Sequence, residues 1–189
     1  MSYAIYGGWM IFASIFLTRR KTPRQKESKR DPRAKTGMMM QGASFAMAWL
    51  QRPRSSNFLS FGESVEIVVA AFALTLMIAS LLLTNSAVRT LGRQWSLGAR
   101  LIEGHQLVTQ GPYGLVRHPI YVGLLGMLLA TGLVLGRFVL VVPAVALYVS
   151  GTILRTRVEE RLLADAFGIT YEQYAARVPA LFPRLRRLK

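Results

Sequence analysis

The sequence predicts an all-α, polytopic integral membrane protein with about five transmembrane helices. Three observations predict this: 52% of the 189 residues are hydrophobic, the formal net charge is +15, and the basic residues lie between long apolar runs. In a nucleic-acid-binding domain, basic residues usually share a folded face with aromatic or polar side chains. Basic loops between nearly uncharged apolar runs are instead typical of membrane proteins. We therefore expect membrane lipids as partners and no nucleic acid.

Five apolar segments are the candidate spans, and they cover residues 3–17, 38–50, 64–84, 120–136 and 138–154. The last two are joined by a short turn and predict a helical hairpin. The second segment has only 13 residues, whereas a clean span requires roughly 20. An amphipathic helix on the membrane surface is therefore the alternative for this segment.

The distribution of lysine and arginine favours five spans. If every segment crosses the membrane, residues 18–37, 85–119 and 155–189 lie on one side and contain 21 of the 24 basic residues. Loops that are rich in lysine and arginine usually stay in the cytoplasm. We therefore expect the N-terminus outside and the C-terminus in the cytoplasm.

Two regions follow from this organisation. Residues 1–84 would form the N-terminal transmembrane helices with a basic cytoplasmic linker at 18–37, whose charges can contact anionic lipid headgroups. Residues 85–189 would form the region in which chemistry is expected, including the transmembrane hairpin 120–154. The chain contains no cysteine, which excludes disulfides, thiolate nucleophiles and cysteine-ligated metals.

The first polar stretch, residues 91–121, reads as a glycine-rich loop and contains both histidines of the chain, His105 and His118. His118 directly precedes Pro119, a residue typical of a helix start. Two histidines without carboxylates at a suitable spacing do not predict a zinc site, so we expect no metal. The stretch also lacks the strand, glycine loop and helix of a Rossmann-type cofactor site.

The second polar stretch, residues 155–183, begins as an amphipathic continuation of the fifth span. Arg155 and Glu159 are four residues apart, so they share one helix face. A salt bridge on the helix surface would explain this pair. However, both residues are predicted at the membrane boundary, on the same side as Arg117 and His118. Ionisable residues at that depth favour a functional site.

The two stretches carry an ordered set of short motifs. These are His-x-Leu-Val from His105, Gly-x-Tyr from Gly111, Arg-His-Pro-x-Tyr-x-Gly from Arg117, Arg-x-x-x-Glu-Glu from Arg155, and Phe-Gly-x-x-Tyr-x-x-Tyr from Phe167. In this order and spacing they resemble the isoprenylcysteine carboxyl methyltransferase family. That family belongs, with the phospholipid methyltransferases, to a wider group of small membrane methyltransferases. The resemblance covers about half of the chain, residues 91–183.

The resemblance implies a site for S-adenosyl-L-methionine on the cytoplasmic loops. By the family's pattern, the residues that contact this cofactor are His105, Gln106, Leu107, Val108, Tyr113, His118, Pro119, Ile120, Tyr121 and Glu159. Glu159 would hold the amino group of the cofactor, and Arg155, as the catalytic residue, would orient a substrate carboxylate. The family often has a further polar contact between the Trp95 region and His105. Arg100 is the nearest candidate for it here and is not included in the predicted site.

The expected reaction is O-methylation of the carboxylate of a lipophilic, isoprenylcysteine-like substrate that enters from the bilayer. A carboxylate is already ionised at neutral pH, so this transfer needs alignment rather than a general base. An arginine can hold a carboxylate through two parallel hydrogen bonds. The alternatives are N-methylation of a phospholipid or other small lipid amine, a nicotinamide-dependent membrane sterol reductase, and a membrane scaffold without catalytic activity.

Overall fold

The protein is described by a computed structural model, which covers residues 2–17, 27–30, 34–50, 63–95, 100–102, 104–135 and 138–182. In these ranges the chain forms six α-helices and two short strands. The helices are α1 (Ser2–Leu17), α2 (Ala34–Trp49), α3 (Glu63–Leu91), α4 (Pro119–Leu135), α5 (Phe138–Phe167) and α6 (Ile169–Arg177), and the strands are β1 (Glu27–Arg30) and β2 (Arg100–Ile102). Two short 3₁₀ helices lie at Gly92–Gln94 and Gly111–Gly114.

The predicted helical architecture is confirmed, since one helix lies at each of the five apolar segments. Two segments, Val65–Leu91 and Leu140–Phe167, are long and apolar enough to cross a membrane. Only 22% and 39% of their apolar windows are buried in the protein, so most of this apolar surface is left for lipid. By their length and composition, these two helices support a location in the membrane.

The five-span topology and the sidedness of the termini stay predictions. Helices α1 and α4 have 16 and 17 residues, which is near the lower limit for a span. Most of the linker 18–37, the loop 51–62 and the turn at 136–137 lie outside the described residues.

A short antiparallel ribbon was not predicted. Strand β1 lies within the linker 18–37, for which only a solvated loop was expected, and it pairs with β2 so that Arg30 is opposite Arg100. Strand β1 is polar throughout, and β2 has only three residues, Arg100 to Ile102, so neither shows the alternation of apolar and polar residues from which sequence could predict a strand. The ribbon connects the linker to the first polar stretch, residues 91–121, in which β2 lies.

Two helix pairs form the body of the protein, α2 with α5 and α3 with α4. Gly37 and Gly151 meet where α2 crosses α5. A Cβ on Gly37 would lie 2.6 Å from the backbone oxygen of Gly151, and a Cβ on Gly151 would lie 2.7 Å from that of Gly37. Small residues allow this close approach of two helix backbones, as is common in membranes.

Helix α1 joins these pairs through an aromatic cluster. The Trp9 ring packs against Phe12, Phe45 and Trp49 at centroid distances of 5.1–6.0 Å. Its indole Nε1 donates a hydrogen bond of 3.0 Å to Oγ1 of the buried Thr131 in α4. The first two helices are therefore packed onto the rest of the protein rather than separate anchors.

The C-terminal segment closes over the polar stretch. Backbone N–H groups of Arg117 and His118 donate to the carbonyl oxygens of Pro179 and Ala180 at 2.9 and 3.0 Å. The Tyr174 hydroxyl of α6 donates to the carbonyl oxygen of Tyr113 at 2.7 Å. These contacts hold the loop before α4 against α6.

Candidate active site

A cavity lies between the loop before α4, the first turn of α4, the C-terminal half of α5 and α6. Ten of the eleven residues predicted for the site line it, namely His105, Gln106, Leu107, Val108, Tyr113, His118, Ile120, Tyr121, Arg155 and Glu159. Pro119 is fully buried as the first residue of α4 and does not line the cavity. The structure thus brings together residues that are 50 positions apart in sequence, while their contacts with a cofactor stay a prediction.

The His118 imidazole connects the start of α4 to two adjacent carboxylates on α5. Its Nε2 lies 3.0 Å from Glu160 Oε1, and its Nδ1 lies 3.6 Å from Glu159 Oε2. The side chain is only 6% exposed. Burial disfavours the charged ring, but hydrogen bonds with Glu159 and Glu160 and their charges outweigh this and raise the pKa of His118. A protonated ring donates from both nitrogens, so it can serve both carboxylates at once.

The Arg117 guanidinium joins α5 to the end of α6. Its Nε and Nη2 donate to Glu160 Oε1 at 3.0 and 2.7 Å. Its Nη1 donates to the carbonyl oxygens of Ala175 and Val178 at 2.9 and 2.6 Å. Carbonyl groups at a helix C-terminus attract a cation. Arg117 therefore fixes the wall of the cavity formed by α5 and α6.

The Arg155 guanidinium is held on three sides. Its Nη2 lies 3.6 Å from Glu159 Oε1, its Nη1 donates to Gln41 Oε1 at 3.2 Å, and its Cζ lies 5.1 Å from the centroid of the Tyr121 ring. The last distance is that of a cation–π contact. The Tyr121 hydroxyl donates in turn to Glu159. Arg155 and Glu159 are therefore oriented by the same tyrosine.

Two tyrosines of the cavity are neutral at physiological pH. Burial raises the pKa of Tyr174 to about 12, and burial together with the charge of Glu159 raises the pKa of Tyr113 further. Each hydroxyl thus keeps its proton and acts as a hydrogen-bonding group.

The His105 ring lines the cavity and lies against Phe167 at a centroid distance of 6.1 Å. Burial lowers its pKa, so the ring is neutral. Its Nδ1 is buried and has no hydrogen-bond partner within the described part of the chain. The neighbouring Gln106 N–H donates to Gln94 Oε1 at 2.7 Å, which fixes the loop. A buried unpaired nitrogen in a cavity wall is a candidate ligand contact.

Three basic side chains meet two carboxylates beside the cavity. Arg117, His118 and Arg155 face Glu159 and Glu160. Arg155 and Glu159 line the cavity, whereas Glu160 is not among its lining residues. A guanidinium can pair with a further carboxylate, and a carboxylate can hold a positively charged amino group.

Sequence reasoning left several contributors out of the predicted site. Arg117 and Glu160 belong to the motifs, but their ion pair across 43 positions has no local signal. Gln41 lies in the weak second segment, and only its polarity within an apolar run could have indicated it. The remaining cavity residues outside the prediction are Phe16, Leu91, Gln94, Trp95, Leu124, Leu162, Leu163, Tyr171 and Tyr174.

Two further expectations concern Arg100 and metals. Arg100 lies in β2, and its side chain is outside the described part of the structure. Across the described ranges, no three His, Asp or Glu side chains are grouped so that they could hold a metal ion.

Comparison with known proteins shows where this arrangement belongs. Residues 68–170, more than half of the chain, match the family model of the phospholipid methyltransferases. The chain belongs to this family. The match begins in α3 and ends in α6, so the family region contains the whole cavity wall formed by α4 and α5, whereas α1 and α2 lie outside it.

Individual proteins that are similar to this chain have different names. The chain is 32% identical over 117 residues to protein-S-isoprenylcysteine O-methyltransferase B of Arabidopsis thaliana, covering 61% of this chain and 59% of that protein. It is 36% identical over 103 residues to the protein-S-isoprenylcysteine O-methyltransferase of Schizosaccharomyces pombe, covering 53% and 44%. It is 40% identical over 112 residues to the cobalt-zinc-cadmium resistance protein CzcN of Cupriavidus metallidurans, covering 52% and 46%.

These similarities confirm the resemblance on which the motif analysis rested. The chain spans about half the length of the curated relatives that it matches.

Proposed function

We propose that this membrane protein is an S-adenosyl-L-methionine-dependent methyltransferase that O-methylates the carboxylate of a lipophilic, isoprenylcysteine-like substrate. The observation that carries the proposal is the pair formed by Arg155 and Glu159. Both groups line one cavity and are oriented by the same Tyr121. One of them suits an anionic acceptor and the other suits the amino group of the methyl donor.

The residues present fit the methyl donor. Bound S-adenosyl-L-methionine would supply a methyl group on a positively charged sulfur. Glu159 lines the cavity with 23% of its side chain accessible, and its carboxylate can accept a hydrogen bond from an ammonium group. The buried, unpaired Nδ1 of His105 offers a further polar contact. The hydrophobic side chains of Leu107 and Val108, which follow His105 in the same loop, line the cavity and suit the aromatic adenine ring of the donor.

The chain's own residues would provide orientation rather than acid–base chemistry. A carboxylate acceptor needs no deprotonation at neutral pH, and the tyrosines of the cavity remain protonated. Arg155 would bind the acceptor carboxylate and hold it in line, which can lower the barrier by several kcal/mol through the loss of free rotation before the reaction. The contacts of α6 with the loop before α4 would exclude water from the cavity.

Apolar residues of the cavity lining suit a lipophilic acceptor. Phe16 of α1, Leu91 of α3 and Leu124 of α4 are apolar, and the outer surface of α3 exposes Phe72, Ile78 and other large hydrophobic side chains. An apolar chain would therefore find hydrocarbon-like contacts from the bilayer to the cavity. The Arg155 guanidinium in the cavity wall favours a carboxylate over a cationic lipid amine.

The first test is calorimetric titration of the purified protein in detergent with S-adenosylhomocysteine, and in parallel with NADPH. Binding of the former and not of the latter supports the methyltransferase and argues against the reductase alternative. Transfer of a labelled methyl group to an N-acetylated S-farnesylcysteine, but not to phosphatidylethanolamine, would then support the carboxylate acceptor. Transfer to the lipid amine alone would overturn that part of the proposal, and binding of neither ligand by folded protein would favour a non-catalytic role.

A further inference from the structure

A buried polar group in α2 reaches the site from outside the family region. Gln41 is 4% exposed, and its side-chain oxygen accepts a hydrogen bond from Arg155 Nη1 at 3.2 Å. Its side-chain nitrogen donates to Thr152 Oγ1 of α5 at 2.9 Å. The match to the family model begins at residue 68, so Gln41 does not belong to the matched motifs.

The orientation of the Gln41 amide follows from hydrogen-bonding chemistry. A guanidinium has donors and no acceptor, so the amide oxygen of Gln41 has to face Arg155. The amide nitrogen then faces Thr152, whose hydroxyl accepts. Thr152 is 1% exposed, which leaves little freedom for the amide to rotate. Gln41 therefore presents a fixed neutral acceptor to the guanidinium.

Close packing of α2 on α5 makes this contact possible. Gly37, one helical turn before Gln41, would place a Cβ only 2.6 Å from Arg155 Cγ. The absence of a side chain at this position lets the Arg155 side chain run along α2 up to the amide. Glu159, Tyr121 and Gln41 then surround the guanidinium from three different helices.

From this arrangement we propose that Gln41 is a positioning residue for Arg155 and thereby determines how tightly the acceptor carboxylate is bound. The inference rests on the proposed function. Since the amide is neutral, Gln41 holds the guanidinium without placing a second negative charge beside it, in addition to that of Glu159. A carboxylate at the same place would compete with the acceptor, and an apolar side chain would remove the hydrogen bond that orients Arg155 Nη1.

The test compares three variants in the transfer of labelled methyl groups to an N-acetylated S-farnesylcysteine. Gln41→Met keeps the length of the side chain and removes the acceptor, Thr152→Val removes the partner of the amide, and Gln41→Glu introduces a charge. We expect Gln41→Met to raise the KM for the acceptor about tenfold, the range of one hydrogen bond to a charged group. Thr152→Val should raise it less, and Gln41→Glu more. The affinity for S-adenosylhomocysteine should stay within about twofold, as the amide does not line the cavity.

Ser44→Ala provides the matched control. Ser44 is fully buried in the same helix, but its hydroxyl donates to the backbone carbonyl oxygen of Gln41 and not to the Gln41 side chain or to Arg155. Its KM should equal that of the wild type. If Gln41→Met and Ser44→Ala lower thermal stability alike and neither changes the KM, Gln41 is only structural and the inference is wrong. If the wild type itself transfers no methyl group to a carboxylate, the proposed function fails and the inference with it.

Discussion

At the residue scale, Glu159 is the point where the proposed cofactor and acceptor subsites meet. Its carboxylate contacts His118, Tyr121 and Arg155. Each contact comes from a different position of the chain, yet all of them fix the same two oxygens. A change at this residue should therefore affect ligand binding more than folding of the helices.

Glu159→Gln should weaken binding of S-adenosylhomocysteine at least about tenfold, because an ammonium group loses a charged hydrogen-bond acceptor. Calorimetric titration in detergent measures the change. Glu172→Gln is the control, since Glu172 is exposed on α6 and should bind like the wild type. An unchanged affinity in folded Glu159→Gln would remove this residue from the cofactor site.

Arg155→Lys should lower the turnover number about a hundredfold while S-adenosylhomocysteine affinity changes little. Lysine keeps the positive charge but lacks the planar pair of donors that matches a carboxylate, so alignment is lost. The measurement is the steady-state rate of methyl transfer next to calorimetric affinity. Wild-type turnover in this variant would contradict a carboxylate clamp at Arg155.

His118 predicts a pH-dependent stability. Burial opposes the charged ring, but Glu159 and Glu160 raise the pKa of His118 in the folded protein. The protonated ring therefore stabilises the fold fully at pH values below the ordinary pKa of 6.5. This stabilisation is lost as the pH rises through the higher pKa of the folded state. The unfolding temperature in detergent should decline over that range. His118→Gln should lose this pH dependence, because glutamine does not titrate. Parallel curves for the two proteins would show that His118 does not carry a bridging proton.

At the scale of elements, the sequence predicts best the helices whose positions are determined by the length of an apolar run. The positions of α1 to α5 follow from five apolar runs, and Arg155 and Glu159 share a face because of helical periodicity. Three other features depend on how segments distant in sequence pack together. They are the hydrogen bonds of Arg117 with the end of α6, the pairing of β1 with β2, and the contact of Gln41 with Arg155. No local pattern encodes them, so only the folded structure reveals these parts of the candidate site.

Gly37→Ala should destabilise the protein although alanine favours a helix. The added methyl group would meet the Gly151 carbonyl oxygen and Arg155 Cγ, each at 2.6 Å, and overpacking of this kind costs about 1–3 kcal/mol. Gly42→Ala is the control, since Gly42 lies on the same helix with nothing within 4 Å of its Cβ position. Thermal unfolding in detergent should give a lower midpoint for Gly37→Ala only. Equal unfolding midpoints for the two variants would mean that α2 and α5 can move apart to admit the methyl group without loss of stability.

At the scale of the whole molecule, the location of the proposed site depends on the membrane topology. If α2 crosses the bilayer, the linker 18–37 and the polar stretches 91–121 and 155–183 share the cytoplasmic side, where a water-soluble methyl donor is available. If α2 lies on the membrane surface, the linker and the loop 51–62 share one side instead. The length of α2, 16 residues, is compatible with either arrangement, so an experiment has to distinguish them.

The chain offers a clean way to do so, because it contains no cysteine. Single cysteines introduced as Ser28→Cys in the linker and Ser55→Cys in the loop 51–62 can be treated in intact cells with a maleimide that does not cross membranes. With five spans and the C-terminus in the cytoplasm, Ser55→Cys should be labelled and Ser28→Cys should be labelled only after the cells are opened. The same behaviour at both positions would show that α2 does not span. Labelling of Ser28→Cys alone would reverse the orientation, and the proposed site would then lie outside the cell, away from its methyl donor.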